Sequence, residues 1–187
     1  MAKVLVPLAS GCEELEAVTV IDLLRRAGIE VISAGLEAAP QAVRASRGTF
    51  LIPDTSLDQA IKQEYDMVVL PGGQPGTDTL NADPRIHALL DRMAKHEKYI
   101  AAICAAPKIL ASAGLLKGRR VTSFPGALDQ SQLAAVRYEE TAVVQDGHIL
   151  TSRGPGTAMD FALAIIEILA GRAKRDEVEQ GLMRSRR

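Results

Sequence analysis

Two short runs, Asp66-Met-Val-Val-Leu70 and Tyr99-Ile-Ala-Ala-Ile103, are apolar on consecutive positions and constrain the fold more than anything else in the chain. They are too short for ordinary helices. Strands without polar alternation are strands buried on both faces, as in parallel sheets covered by helices on either side. Each run ends in breakers: Pro71-Gly-Gly-Gln-Pro-Gly76, read as a loop, and Cys104-Ala-Ala-Pro107. Strand-like and helix-like segments alternate around them. Strands are expected at 3–9, 29–35 and, as a short extended piece, 49–53. Helices are expected at 13–27 before Gly28, 56–63, 84–97, 107–113 before Gly114, and 157–170 before Gly171. Near the C-terminus, 142–145 and 148–151 bracket the hairpin turn Asp146-Gly147. With right-handed crossovers, this order gives a flavodoxin-like three-layer α/β sandwich, its mostly parallel sheet covered on both faces. No repeat or linker divides residues 1–187, so one domain is expected.

Aliphatic side chains must fill the core, because aromatic residues are 3% of the chain while hydrophobic residues are 47%. Acidic and basic residues nearly cancel at a net charge of -1, and the basic clusters, Arg172 to Arg175 and Arg184 to Arg187, read as solvated helix ends. Neither nucleic acid nor membrane is indicated as a partner. The N-terminal segment lacks a secretory pattern and no apolar run approaches bilayer length, so a cytosolic location is expected. In that compartment Cys12 and Cys104 are read as free thiols.

In open α/β sheets functional groups gather beyond the carboxyl ends of the strands. Three such ends carry unusual residues here: Gly11 to Glu16, Pro71 to Gly76, and Cys104 to Pro107. They are expected to meet in one crevice. Cys104 lies where a buried strand turns directly into a helix, the strained geometry that exposes a nucleophile. Helix amides and dipole there should bring its pKa below the free value near 8.5. Glu16 shares a face with Glu13 and can point into the crevice if Leu15 and Val18 cover the sheet. Buried beside a sulfur anion, its carboxyl would keep its proton and could donate it. Gly72 and Gly73 offer unobstructed backbone N–H groups for an oxyanion pocket.

The blander alternatives are concrete. A lone cysteine is more often a small buried hydrophobe, acidic residues in a first helical turn often only complement the dipole, and most Gly-Gly pairs are turns. Cys12 fits a structural or incidental thiol. His87, His96 and His148 have no ligand spacing, so no metal is expected. Neither glycine-rich nucleotide signature occurs, so no cofactor is expected.

The chain resembles the ThiJ/PfpI superfamily, in the branch of the parkinsonism-associated deglycase and its bacterial counterpart YajL. The likeness rests on Gly11-Cys-Glu-Glu-Leu-Glu16, Arg25-Arg-Ala-Gly28, Ser46-Arg47, Val69-Leu-Pro-Gly-Gly73, Ala101-Ala-Ile-Cys-Ala-Ala-Pro107 and Leu150-Thr-Ser-Arg-Gly-Pro-Gly-Thr157. It implies that Cys104 is an oxidisable nucleophile, Glu16 its protonated partner, and the amides of Gly73 and Ala105 the oxyanion donors. It also implies a homodimer through the first helix, with residues 13–26 and Arg47 at or near the interface. The activity implied is a cofactor-independent glyoxalase or deglycase acting on small reactive carbonyls or on glycated protein or nucleotide adducts. The alternative is a redox-responsive chaperone or oxidative-stress sensor without turnover. Some family members place a histidine near the cysteine where this chain has Phe124, which disfavours a Cys-His protease.

Overall fold

The computed structural model describes residues 1–39 and 41–184; the end of the C-terminal basic cluster, residues 185–187, lies outside them. The chain runs through β1 (Lys3–Leu8), α1 (Glu14–Arg26), β2 (Glu30–Gly35), β3 (Val43–Arg44), β4 (Phe50–Leu51) and β5 (Thr55–Ser56). It continues with α2 (Leu57–Ala60), β6 (Met67–Leu70), α3 (Gln74–Ala82), α4 (Pro84–Lys95), β7 (Tyr99–Ile103) and α5 (Pro107–Ser112). The last third holds β8 (Arg120–Val121), α6 (Gln130–Ala134), β9 (Arg137–Tyr138), β10 (Val143–Asp146), β11 (Ile149–Ser152), α7 (Ala158–Ala170) and α8 (Arg172–Gly181).

One seven-stranded sheet in the order β10-β11-β7-β6-β1-β2-β5 carries the architecture, and every neighbouring pair is parallel except the β10–β11 hairpin. The expected flavodoxin-like sandwich is therefore present. The apolar runs occupy the central strands because only there are both faces covered. Val69, Ala101 and Ile103 join a core shared with α1 and α7, while Val68, Leu70, Ile100 and Ala102 join a second core under α4 and α5. Fully buried side chains such as Phe161 and Leu24 each contribute roughly 1.5–3 kcal/mol by leaving water.

Several boundaries differ from expectation. The Pro-Gly series after β6 is only partly a loop: α3 begins inside it at Gln74, with Pro75 in the first turn where no N–H is needed. The expected helix at 56–63 is the short β5 followed by one turn of α2. The extended piece at 49–53 is half of a small hairpin, β3 with β4, separate from the main sheet. Leu15 and Val18 do not cover the sheet; they are about half exposed, and Ala17, Val20, Leu23 and Leu24 turn inward instead. Among the described residues, no helix is long and apolar enough to cross a membrane.

Candidate active site

Strands β1, β6 and β7 are neighbours, so the turns that leave their carboxyl ends meet above the sheet. The β7 turn is tight. Cys104 has φ of 63°, a left-handed conformation that side chains rarely adopt, and it is held there by two backbone hydrogen bonds. Its N–H donates to Ser152 O (3.0 Å) on β11, and its carbonyl accepts from Phe124 N–H (2.8 Å). Residue 107 then starts α5 as proline, with no N–H to leave unsatisfied.

Above β6 the chain passes through Gly72 and Gly73, and close approach explains both. A Cβ at Gly72 would stand 2.6 Å from Cys104 Cβ and 2.7 Å from Glu16 Oε2. Gly73 has φ of 87°, and a Cβ there would strike the carbonyl of Gly11 and lie 2.6 Å from Glu13 N. The Glu13 N–H donates to Gly72 O (2.9 Å), which ties the start of α1 to this strip.

Glu16, in the first turn of α1, is fully buried. Its Oε2 accepts the Gly72 N–H at 2.8 Å. That amide was expected among the oxyanion donors; here it orients the carboxyl. The Gly73 and Ala105 amides lie near enough to the Cys104 sulfur to favour its anion, and the Glu16 carboxyl stands beside it. Thus Cys104, Glu16, Gly72, Gly73 and Ala105 come together. Glu13 takes a different part, accepting from Ser46 Oγ at 2.8 Å on the adjacent loop. Cys12 is buried beneath the same strip and its thiol is pushed up to about 11, by burial first and then by the Glu14 charge, which makes it inert.

The expectation of a simply depressed Cys104 pKa is corrected. Beside an ionised Glu16 the thiol is pushed up to about 12, by burial, then by the carboxylate's charge and hydrogen bond, against the pull of the two amides. Burial likewise pushes Glu16 up to about 7, against hydrogen bonds from Gly72 and Cys104. Together the shifts mean that two anions do not coexist here; between the two values the pair holds one proton. Taken alone the two values leave that proton on sulfur; the surroundings of the carboxyl favour Glu16 as its holder. Glu16 Oε1 is buried and has no hydrogen-bond partner among the described residues, an expensive position for a bare carboxylate oxygen. A proton on the carboxyl removes that cost, and the two nearby amides favour the thiolate. The arrangement can therefore supply a thiolate, a proton and two oxyanion donors at one point.

A cleft of about 490 Å³ opens on the other side of Gly73, walled by Ser10, Glu13, Arg44, Arg47 and Gln74. Its loop, 45–49, is pinned by a residue that sequence reasoning did not single out. Glu14 accepts the N–H groups of Arg47 (3.0 Å) and Thr49 (3.4 Å) and the Ser46 hydroxyl (3.0 Å). Only Ser46-Arg47, quoted as part of the resemblance, pointed to that loop. Among the described residues no cluster of three or more His, Cys, Asp or Glu side chains is placed to hold a metal ion.

Comparison with known proteins extends along nearly the whole chain. The DJ-1/PfpI family matches residues 2–168. The protein dj-1beta of Drosophila melanogaster is 45% identical over 179 residues, 96% of this chain and 95% of that protein. Its crystal structure superposes with a TM-score of 0.93 at 44% identity, covering 99% of each chain. An oxidized Toxoplasma gondii DJ-1 structure gives a TM-score of 0.93 at 36% identity over 100% of both chains. The Caenorhabditis elegans glutathione-independent glyoxalase DJR-1.2 is 34% identical over 177 residues, 95% of this chain and 92% of that protein. Matched by the family model over residues 2–168 and 45% identical to a relative covered over 95% of its length, the chain belongs to the DJ-1/PfpI family.

Proposed function

We propose that this protein is a cofactor-independent glyoxalase or deglycase that uses Cys104 to convert methylglyoxal or glyoxal, free or as adducts, to lactate or glycolate without glutathione. The observation that carries the reading is the Cys104 sulfur at a left-handed turn, beside the buried Glu16 carboxyl and the Gly73 and Ala105 amides. The similarity to a protein named a glutathione-independent glyoxalase supports it.

For methylglyoxal, sulfur bonds to the aldehyde carbon and the aldehyde oxygen takes the Glu16 proton, the Gly73 and Ala105 amides holding the oxygen as charge develops. The Glu16 carboxylate then removes that carbon's hydrogen as a proton and, through an enediol, delivers it to the neighbouring ketone carbon, leaving a 2-hydroxy thioester. Water cleaves the carbon–sulfur bond, releasing lactate and restoring the thiol. One water enters, and no external oxidant or reductant is needed. Lactate formation by wild type should vanish in Cys104→Ser; equal rates in the two proteins would end the proposal.

A second reading, a redox-responsive chaperone or stress sensor, draws support from the same site. The amides and carboxyl are suited to bind the oxygens of a sulfinate, and one similar structure is described as oxidized. Suppression of aggregation that persists in Cys104→Ala, with no lactate formed by wild type, would favour it. A homodimer belongs to either reading: Leu15 and Val18 on α1 and Phe50 on the neighbouring hairpin expose 50%, 46% and 64% of their surface, an apolar face that a second copy would cover.

A further inference from the structure

Phe124 is 49% exposed, yet its surroundings fix it on two sides. Its N–H donates to Cys104 O (2.8 Å), and Ser123 before it is buried with its carbonyl accepting from Tyr138 OH (3.0 Å). The ring rests on Gly154, where a Cβ would come 3.4 Å from Cδ2. Gly154 is itself held: Thr157 Oγ1 accepts from the Gly154 and Arg153 amides (3.1 and 3.3 Å), and Thr157 N–H donates to Gly154 O (2.9 Å). This rigid seat continues β11, the strand whose Ser152 carbonyl receives the Cys104 N–H. A ring whose own backbone is bonded to the nucleophile's residue, with one side on the Gly154 backbone and about half of the residue open, gains little fold stability from its open surface. It is a platform on which a flat apolar group can stack.

We propose that Phe124 is the apolar wall of the substrate site and selects 2-oxoaldehydes, or adducts derived from them, whose substituent is flat and apolar, an aryl group in place of methyl. The inference rests on the oxoaldehyde reading above. On the Gly73 side the walls are polar, Glu13, Arg44, Arg47 and Gln74, so an aryl substituent is directed to the Phe124 side. Ring-on-ring contact at this wall sets a preference of roughly two- to tenfold.

The test measures kcat/KM for phenylglyoxal and methylglyoxal in wild type, Phe124→Ala and Phe124→Tyr. The phenylglyoxal-to-methylglyoxal ratio should fall about two- to tenfold in Phe124→Ala, chiefly through KM for phenylglyoxal, and be retained in Phe124→Tyr, which keeps the ring. A second measurement needs no turnover. Cys104 is alkylated with phenacyl bromide or bromoacetone, sulfur displacing bromide to form a thioether, and each rate is divided by that of glutathione with the same reagent. The aryl preference should be present in wild type and lost in Phe124→Ala. If neither oxoaldehyde is turned over but alkylation shows a Phe124-dependent aryl preference, the catalytic reading fails and the wall stands. If both are turned over with one ratio in all three proteins, and normalised alkylation shows no aryl preference, the wall is overturned and the catalytic reading stands.

Discussion

Gly72 has no room for a side chain between Cys104 and Glu16. A methyl there would press on Cys104 Cβ and the Glu16 carboxyl within 3 Å, so Gly72→Ala must separate the two groups that share the proton. We expect a loss of about 1–3 kcal/mol in stability, read from the urea midpoint, together with a large drop in the rate of Cys104 alkylation at neutral pH. Undiminished alkylation would show that the contact between the two residues does not matter. The same pair fixes the pH dependence of turnover. Below about 7 both groups hold protons; as pH climbs through about 7 the pair loses its first proton, and under the proposed mechanism that loss leaves the charge on sulfur. Lactate formation should therefore rise across that value, and a profile flat from pH 6 to 8 would contradict the assignment.

Glu14 takes more hydrogen bonds from the loop between β3 and β4 than any other side chain, beside the Glu13 carboxylate and the backbone bonds of Gly11 and Cys12. Desolvation opposes ionisation of Glu14, but its own amide, the Arg47 amide, the Ser46 hydroxyl and the Thr49 amide outweigh it and lower the pKa to about 2. A depressed carboxylate pKa stabilises above the ordinary range near 4.5 and is lost as pH falls toward 2. Tryptic cleavage after Arg44 or Arg47 should accelerate in Glu14→Ala at neutral pH, and the wild-type hairpin should loosen only below about pH 4.5. Cleavage at the wild-type rate in the variant would remove Glu14 as the anchor. None of this was legible in the sequence, where Glu14 reads as one more acid in a first helical turn. The central strands were legible because burial on both faces leaves no polar alternation, and Cys104 because a strand running straight into a helix forces a tight turn. By contrast, α3 was hidden by the prolines and glycines that start it, and β3, β9 and α6 are too short for periodicity to show. The fate of the Cys104 proton was also beyond sequence. Dipole and amides pointed down, and only the depth of burial and the isolated Oε1 show that it belongs to a pair.

For the whole molecule, the exposed apolar face of α1 predicts a species of twice the 20.0 kDa chain in sedimentation, and Val18→Asp should yield a folded species of one chain. A wild-type species of one chain at micromolar concentration would remove the dimer from the account. The central claim concerns a smaller event, the sharing of one proton between Glu16 and Cys104, and thiolate absorbance titrated in wild type and Glu16→Leu tests it most directly. With a protonated carboxyl donating to sulfur, wild-type thiolate should appear near pH 7. Removal of a charge-assisted hydrogen bond of roughly 1.5–3 kcal/mol should move the leucine variant up by about one to two pH units, since each unit is about 1.36 kcal/mol. Thiolate appearing at the same pH or lower in a well-folded Glu16→Leu would place the proton on sulfur and the charge on Glu16, and contradict the account.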